Sequence, residues 1–237
     1  MSPEPTEERA CQLGRAPGYD LSMWKRLLFA TSTVFVVATA TASAAEPMRP
    51  RRSASPPAID GVLDDEVWST ATRTTAFKTW RPDFGAEPIG QTVVFSAYDA
   101  RNMYFAFRVF DPEPGRIKAS IASRDSIRQD DWVCINLDSF NDQQSLYALY
   151  VNPLGIQMDS RFAAGQEDFG FDVVWYSAGR IDDRGYTVEV RIPFKSLRYA
   201  GHKAVTMGVI FERYVGRSTE DSTYHPLDPQ KGMNFNI

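Results

Sequence analysis

Three tryptophans, Trp80, Trp132 and Trp175, offer the flat apolar faces on which a small molecule could stack. An indole face packs against the CH-rich side of a pyranose ring, whereas charged and amide groups bind the hydroxyls at its edge. Trp80 lies in a loop-like stretch, residues 78–82, where a large aromatic side chain is hard to explain as core. Trp132 falls on the strand face opposite to the predicted core residues. For each tryptophan the alternative is a place in the core or at a strand edge.

Charged and amide side chains lie close to Trp132 in the sequence. Arg124 and Asp130 precede its strand, and Asn152 flanks a turn further along the chain. An arginine and a carboxylate there could form bidentate hydrogen bonds to neighbouring hydroxyls. A loop ion-pair network would explain the same charges, and turn formation would explain Asn152. The candidate ligand-binding residues are Trp80, Arg124, Asp130, Trp132, Asn152 and Trp175.

Aspartates at loop positions supply the oxygen donors that calcium prefers. No contiguous EF-hand spacing occurs, so a calcium site would have to be assembled from distant segments. Turn formation is an equally good explanation for most of these aspartates. Zinc is disfavoured because the two histidines, His202 and His225, have no further ligand at a recognisable spacing. The candidate metal ligands are Asp60, Asp64, Asp99 and Asp111.

Recognisable catalytic motifs are missing from the sequence. There is no Gly-x-Ser-x-Gly elbow, no HExxH pair and no glycine loop for phosphate. Asp130 and Asp131 are adjacent, and adjacent strand residues point to opposite faces, so they would not easily share a glycosidase site. Cys134 has no histidine near it in the sequence. These observations favour a binding module over an enzyme.

Residues 23–44 have the layout of a secretory signal peptide. Lys25 and Arg26 precede an uncharged stretch, and residues 42–44 (Ala-Ser-Ala) supply the small side chains that signal peptidase requires. The stretch contains threonines and is short for a membrane anchor, which needs about 20 apolar residues. We interpret residues 1–22 as a misassigned start or a disordered leader. The sequence therefore predicts export, to the periplasm or to the outer membrane and cell surface.

Composition narrows the possible partners and the source of stability. A net charge of −4 over 237 residues argues against nucleic acid, which selects a basic face. Of the two cysteines, Cys11 would be lost with the signal, which leaves only Cys134. A hydrophobic core, and not disulfides, must then hold the exported domain together.

Short strands separated by turns dominate the chain after the predicted signal. Apolar and polar residues alternate over residues 133–138 and 186–192, as they do in half-buried strands. Pro193 ends the second strand, because proline cannot continue the hydrogen-bonded ladder. Without helices of ten residues between the strands, the pattern predicts an all-β fold, an antiparallel sandwich.

The order of these patterns defines segment boundaries. A proline- and arginine-rich linker is expected at 45–57, the sandwich at 58–215 and a polar tail at 216–237, which could lead into a longer protein. One helical turn is expected over 64–70, capped by Asp64.

Four ordered segments resemble the family 9 carbohydrate-binding modules, a DOMON-like group. Relatives of these modules occur at the front of bacterial outer-membrane β-barrel proteins of unassigned role. The resemblance implies a jelly-roll-like sandwich, a ligand slot walled by tryptophans that would include Trp175, and calcium as a structural ion. The segments are 59–68 (IDGVLDDEVW), 98–107 with its Tyr-Asp and Met-Tyr-Phe-Ala-Phe, 130–138 (DDWVCINLD) and 185–194 (GYTVEVRIPF).

Three functions follow as hypotheses. In the first, the domain binds an oligo- or polysaccharide, in connection with carbohydrate catabolism. In the second, it binds no sugar and is a structural or interaction domain that precedes an outer-membrane barrel. In the third, it is a haem-binding relative, whose axial ligands would come from Met103, Met158 or Met207 together with His202.

Overall fold

The computed structural model describes residues 48–201 and 204–227. The predicted leader and signal peptide, 1–22 and 23–44, and His202 lie outside this part of the chain. Within it, no helix is long and apolar enough to cross a membrane.

Strands make up nearly all the regular structure, which confirms the predicted all-β class. Helical segments are short: α1 (Glu66–Thr70) and two 3-10 turns at Pro114–Arg116 and Phe194–Ser196. The strands are β1 (Arg51–Arg52), β2 (Thr72–Thr74), β3 (Lys78–Arg81), β4 (Thr92–Tyr98), β5 (Asn102–Phe110), β6 (Trp132–Asp138), β7 (Leu146–Val151), β8 (Gln157–Ala163), β9 (Gln166–Asp168), β10 (Tyr176–Asp182), β11 (Gly185–Pro193), β12 (Gly208–Val215) and β13 (Glu220–Tyr224).

Two sheets pack face to face as the predicted sandwich. The first sheet has the order β1-β4-β5-β11-β10, with β2 also paired to β4, and the second has the order β3-β13-β12-β6-β7-β8-β9. Every pairing is antiparallel except the two-residue contact of β1 with β4.

The core lies between the two sheets and follows the alternation in the sequence. Val133, Ile135 and Leu137 of β6 face inward, where they meet the inward side chains of β11, including Val188 and Val190. The intervening residues of β6 must then point away from the core, to the outer face of the second sheet. That outer face carries its own small cluster around Trp132 and Cys134.

The opening segment of the domain covers the outer face of the first sheet. Trp68 packs there in a buried cluster, and its indole N–H donates to Glu189 Oε1 at 2.7 Å. The backbone N–H groups of Asp60 and Gly61 donate to the other carboxylate oxygen, at 3.0 and 2.8 Å. Gly61 has a φ of +87°, a region that side chains avoid, so glycine suits this approach to the sheet. Two of the four family-like segments are thus bonded to each other.

The sandwich extends further than the sequence interpretation placed it. Strand β13 falls within the expected tail at 216–237, yet it lies between β12 and β3 and its residues 220–223 are buried. Polar residues dominate this strand, so no hydrophobic alternation marked it. Likewise Arg51–Arg52 of the expected linker pairs with Ala97–Tyr98.

The N-cap of the short helix lies one residue later in the sequence than expected. It covers Glu66–Thr70, and its N-cap residue is Asp65, which makes no side-chain capping hydrogen bond. Asp65 instead accepts a hydrogen bond from the backbone N–H of Ala58 at 3.1 Å. Asp64, the predicted cap, is exposed on the preceding turn.

Candidate ligand pocket on the seven-stranded sheet

A pocket of about 350 Å³ lies on the outer face of the seven-stranded sheet. Its volume is at the lower end of the range typical of small-molecule sites, about 300–1,000 Å³. The lining is rich in aromatic rings and also contains carboxylates and guanidinium groups. It consists of Trp80, Arg81, Arg128, Trp132, Tyr150, Met158, Glu167, Phe169, Glu212, Tyr214, Asp221, Thr223 and Leu227.

Strand register explains how residues so distant in sequence come together. Tyr214 of β12 is the direct cross-strand partner of both Asp221 on β13 and Trp132 on β6. Two residues before Tyr214 on β12, Glu212 is the partner of Cys134 on β6 and of Thr223 on β13. Residues two apart on a strand share a face, so both rows point outward into the pocket.

The aromatic rings in the pocket form a continuous wall. The rings of Trp132 and Tyr214 are stacked, with centroids 5.1 Å apart and planes 20° from parallel. Tyr150 meets Trp132 edge to face, with a centroid distance of 5.0 Å. Such contacts contribute about 0.5–1.5 kcal/mol each beyond the area they bury, so they hold the wall in place. Trp132 is consequently only 9% exposed.

Trp80 contributes a second indole from the sheet edge. It lies on β3, so the expectation of a loop position for this residue is wrong. Trp80 is half-buried, and the guanidinium carbon of Arg81 lies 5.0 Å from its ring centroid. The cation–π contact fixes the ring beside the pocket and orients Arg81.

Carboxylates and Arg81 form the polar part of the pocket. Arg81 donates from Nη2 and Nε to Asp221 Oδ2, at 2.8 and 3.1 Å. Glu212 Oε2 accepts a hydrogen bond of 3.2 Å from the side-chain amide of Asn136. Burial, together with the adjacent carboxylate of Asp221, raises the pKa of Glu212 well above its ordinary value. The folded structure therefore favours the protonated form of Glu212 more than water does.

The opposite side of the pocket carries Glu167, Phe169 and Arg128. Glu167 Oε1 accepts hydrogen bonds from the hydroxyls of Ser160, at 2.6 Å, and Tyr150, at 3.2 Å. Arg128 lies over the ring of Phe169, 3.7 Å from its centroid. These contacts leave the exposed Arg128 and Glu167 at the rim, where polar groups could meet a ligand's edge.

Only two of the six predicted ligand-binding residues, Trp80 and Trp132, meet in this pocket. Trp175 instead belongs to the core between the sheets and is 3% exposed. Its indole nitrogen has no hydrogen-bond partner in the described part of the chain. For Trp175 the alternative of a core tryptophan is the one that the structure shows.

The predicted polar residues stabilise loops outside the pocket. Arg124 donates to Asp159 Oδ1, at 3.0 Å from Nε and 2.5 Å from Nη2. Asp130 is buried and accepts hydrogen bonds from Ser120 and from the amide of Asn152, the latter at 3.0 Å. The expected grouping of these three residues with the tryptophans is therefore not formed.

Sequence reasoning missed Arg81, Glu212, Tyr214 and Asp221 as pocket residues. The shared strand face of Glu212 and Tyr214 could have been read from their spacing of two. Their position beside Trp132 could not, because it depends on which strands are neighbours. Asp221 lies on the polar strand β13, which had no signal of its own.

Three of the four predicted calcium ligands, Asp60, Asp99 and Asp111, have hydrogen-bond partners within the protein. Asp111 forms a two-pronged ion pair with Arg217, with both distances 2.8 Å. Asp99 accepts hydrogen bonds from Tyr104, at 2.6 Å, and from nearby backbone and side-chain N–H groups, while Asp60 caps a turn through the N–H of Val62. Over residues 48–201 and 204–227 there is no group of three or more His, Cys, Asp or Glu side chains that could hold a metal.

Comparison with solved structures supports the fold. A carbohydrate-binding module of family 9 from Caldicellulosiruptor kristjanssonii, in complex with glucose, has 21% identity and a TM-score of 0.52, covering 73% of this chain and 84% of that one. The structure of a family 9 module from that organism in complex with cellotriose has 20% identity and a TM-score of 0.51, covering 73% of this chain and 80% of that one. A candidate carbohydrate-binding protein from Bacteroides uniformis has 12% identity and a TM-score of 0.55, covering 74% of this chain and 89% of that one.

The family assignment comes from the sequence match. No curated protein matches the chain. A family model described as carbohydrate family 9 binding domain-like matches residues 59–225. This range extends from the opening segment to the end of β13, and therefore includes β2 to β13 and the pocket-lining strands. The chain belongs to the carbohydrate family 9 binding domain-like family.

Proposed function

We propose that this chain is a non-catalytic carbohydrate-binding domain and that its ligand occupies the pocket on the seven-stranded sheet. The observation that carries the proposal is the stacked wall of Trp132 and Tyr214 beside a second indole, Trp80. A pyranose presents CH groups on its faces and hydroxyls around its edge, so it needs an apolar wall with polar groups at the rim. The pocket offers both kinds of surface.

The polar rim supports a hydroxyl-rich ligand. Arg81 supplies N–H donors and is held by Asp221, while Glu167 and Asn136 supply acceptor and amide groups in or beside the pocket. Glucose and cellotriose are the ligands of the two similar family 9 modules. Gluco-configured sugars are therefore the first ligands to test.

Calorimetric titration of the purified protein with glucose, cellobiose and cellotriose tests the proposal. We expect saturable binding, and we expect Trp80→Ala and Tyr214→Ala each to weaken it at least about tenfold, as truncation of aromatic anchors does. Tyr214→Phe keeps the stacked ring and should retain affinity within about threefold. Trp175→Phe is the matched control, because Trp175 lies in the core away from the pocket.

Two results would contradict the proposal. Binding that survives both alanine variants would place the ligand elsewhere on the domain. A folded protein that binds no sugar would favour the second hypothesis, an interaction domain that precedes an outer-membrane barrel.

Export, calcium binding and a role in carbohydrate catabolism are part of the same proposal. Amino-terminal sequencing of the secreted protein tests export, with cleavage expected after Ala44. Repeating the titration with calcium and with EDTA tests whether the domain binds calcium. An affinity or melting temperature that falls in EDTA and returns with calcium would support a bound ion.

A further inference from the structure

The pocket contains two neighbouring carboxyl groups, and Arg81 forms an ion pair with one of them. Glu212 and Asp221 lie diagonally across β12 and β13 on the same sheet face. Arg81 binds Asp221 through Oδ2 only. The other oxygen, Asp221 Oδ1, is buried and accepts no hydrogen bond from an N–H group of the described residues. A hydrogen bond between the side chains of Glu212 and Asp221 contributes to the raised pKa of Glu212.

The remaining charges around the pair do not balance it. Arg128 is the other guanidinium of the lining, and it lies over Phe169. Glu167 adds a third carboxylate across the pocket. Cys134 on β6 and Tyr150 on β7 lie in the same row as Glu212, and burial raises the pKa of both, so they stay neutral groups. The lining thus holds three carboxyl groups against two guanidinium groups, with an aromatic wall directly beside Glu212.

An acidic pocket with aromatic walls suits a cation better than it suits a neutral polyol. A buried carboxylate gains most from a partner that carries positive charge, because the low local dielectric strengthens the attraction. Aromatic faces also attract ammonium groups through their negative faces. Both effects favour the same kind of substituent on a sugar.

We propose that the pocket selects glycans that bear a protonated amino group, with the ammonium bound by Glu212 in front of Asp221 and beside the Tyr214 and Trp132 rings. This inference rests on the proposed function, since it names the class of sugar that the same pocket prefers. Burial and Asp221 raise the pKa of Glu212, and an ammonium group at its carboxylate lowers it again, so we expect amino-sugar binding near that pKa to release protons. Binding of an amino sugar is then accompanied by proton release, and binding of glucose is not.

Calorimetric titration with matched sugars tests the inference. The ligands are glucosamine and galactosamine, which are cations, and their neutral counterparts glucose, galactose and N-acetylglucosamine. We expect an amino sugar to bind at least about tenfold more tightly than its neutral counterpart. We also expect its apparent enthalpy to change with the ionisation enthalpy of the buffer, as proton release requires.

Glu212→Gln keeps the shape of the side chain and removes its charge. In this variant the affinities for an amino sugar and its neutral counterpart should differ by no more than about twofold, and the apparent binding enthalpy should no longer depend on the buffer. Glu113→Gln, at an exposed site outside the pocket, should leave both unchanged. Thermal unfolding of both variants shows whether they are folded.

The outcomes separate this inference from the proposed function. Neutral sugars that bind as well as amino sugars would overturn the inference and leave the function standing. An amino-sugar preference that persists in Glu212→Gln would also overturn it. A folded protein that binds none of these sugars, nor cellotriose, would overturn both.

Discussion

Trp68 donates a 2.7 Å hydrogen bond from its indole nitrogen to Oε1 of Glu189, a carboxylate with no solvent exposure. The two residues are 121 positions apart, and the contact ties the opening segment of the domain to β11 in the middle of the first sheet. The other oxygen of Glu189 accepts hydrogen bonds from two backbone N–H groups. A buried carboxylate is stabilised only when its oxygens are satisfied in this way.

Replacement of Trp68 by phenylalanine should therefore destabilise the domain. The ring would still fill the cluster in part, but Glu189 Oε1 would lose its donor in a buried place. The expected loss is about 1.5–3 kcal/mol in the free energy of unfolding, measured by urea denaturation. Phe84→Leu, at an exposed aromatic residue, should change it by less than about 0.5 kcal/mol. An equally small effect of Trp68→Phe would contradict the assigned role of the hydrogen bond.

Strand β13 should be indispensable, although its sequence has no apolar alternation. Ser222 is buried and lies between the ladders of β12 and β3. Proline at this position removes a backbone donor and cannot fit an interior strand, so Ser222→Pro should cost about 3 kcal/mol or more. Ser222→Ala keeps the backbone N–H and should cost far less. A Ser222→Pro protein with the wild-type melting temperature would show that β13 is not part of the folded sheet.

Asp111 should be needed for stability because of the two arginines around it. The side chain of Arg213 is 1% exposed and Arg217 is 11% exposed, and both form ion pairs with the Asp111 carboxylate. Burial raises the pKa of Asp111, but hydrogen bonds from Arg217 and from the backbone N–H of Glu113, together with the charges of Arg217 and Arg213, outweigh burial and lower the pKa. Asp111→Asn would leave two guanidinium groups with a weakened partner, at an expected cost of about 3–5 kcal/mol.

Chemical denaturation of Asp111→Asn, with calcium and with EDTA, measures this effect. The loss of stability should be the same with calcium as with EDTA, because the partners of Asp111 are arginines and not a metal ion. A loss that appears only when calcium is present would instead support Asp111 as an ion ligand. Asp183→Asn, at an exposed aspartate that is not a candidate ligand, is the matched control.

Stability should depend on pH through Glu212. The folded-state pKa of this residue lies above its unfolded value, because burial and Asp221 disfavour its charged form. Its contribution to stability is therefore fully present below the unfolded pKa and is lost as the pH rises through the folded pKa. Melting temperatures of the wild type and of Glu212→Gln, recorded across this range, should converge in acid and diverge in favour of the glutamine variant as the pH rises. Parallel curves would show that Glu212 keeps its ordinary pKa in the folded protein.

The local sequence determined the strands that have a clear alternation, such as those at 133–138 and 186–192, and which faces they bury. The alternation at residues 133–138 placed Val133 in the core and Trp132 opposite to it, because side chains on a strand point to alternate faces. The ordered segments from 59–68 to 185–194 indicated the family, and the family match spans both. These properties depend on neighbouring residues, so a single sequence contains them.

Only the tertiary structure decided which strands are neighbours and therefore what the pocket contains. The partners of Trp132 are Tyr214 and Tyr150, from β12 and β7, and no local pattern specifies those pairings. Asp221 joins the pocket because the polar strand β13 is inserted beside β12, whereas Trp175, next to the start of β10, turns into the core. Alternation tells which face a residue occupies, but the strand opposite is chosen by the packing of the whole sandwich.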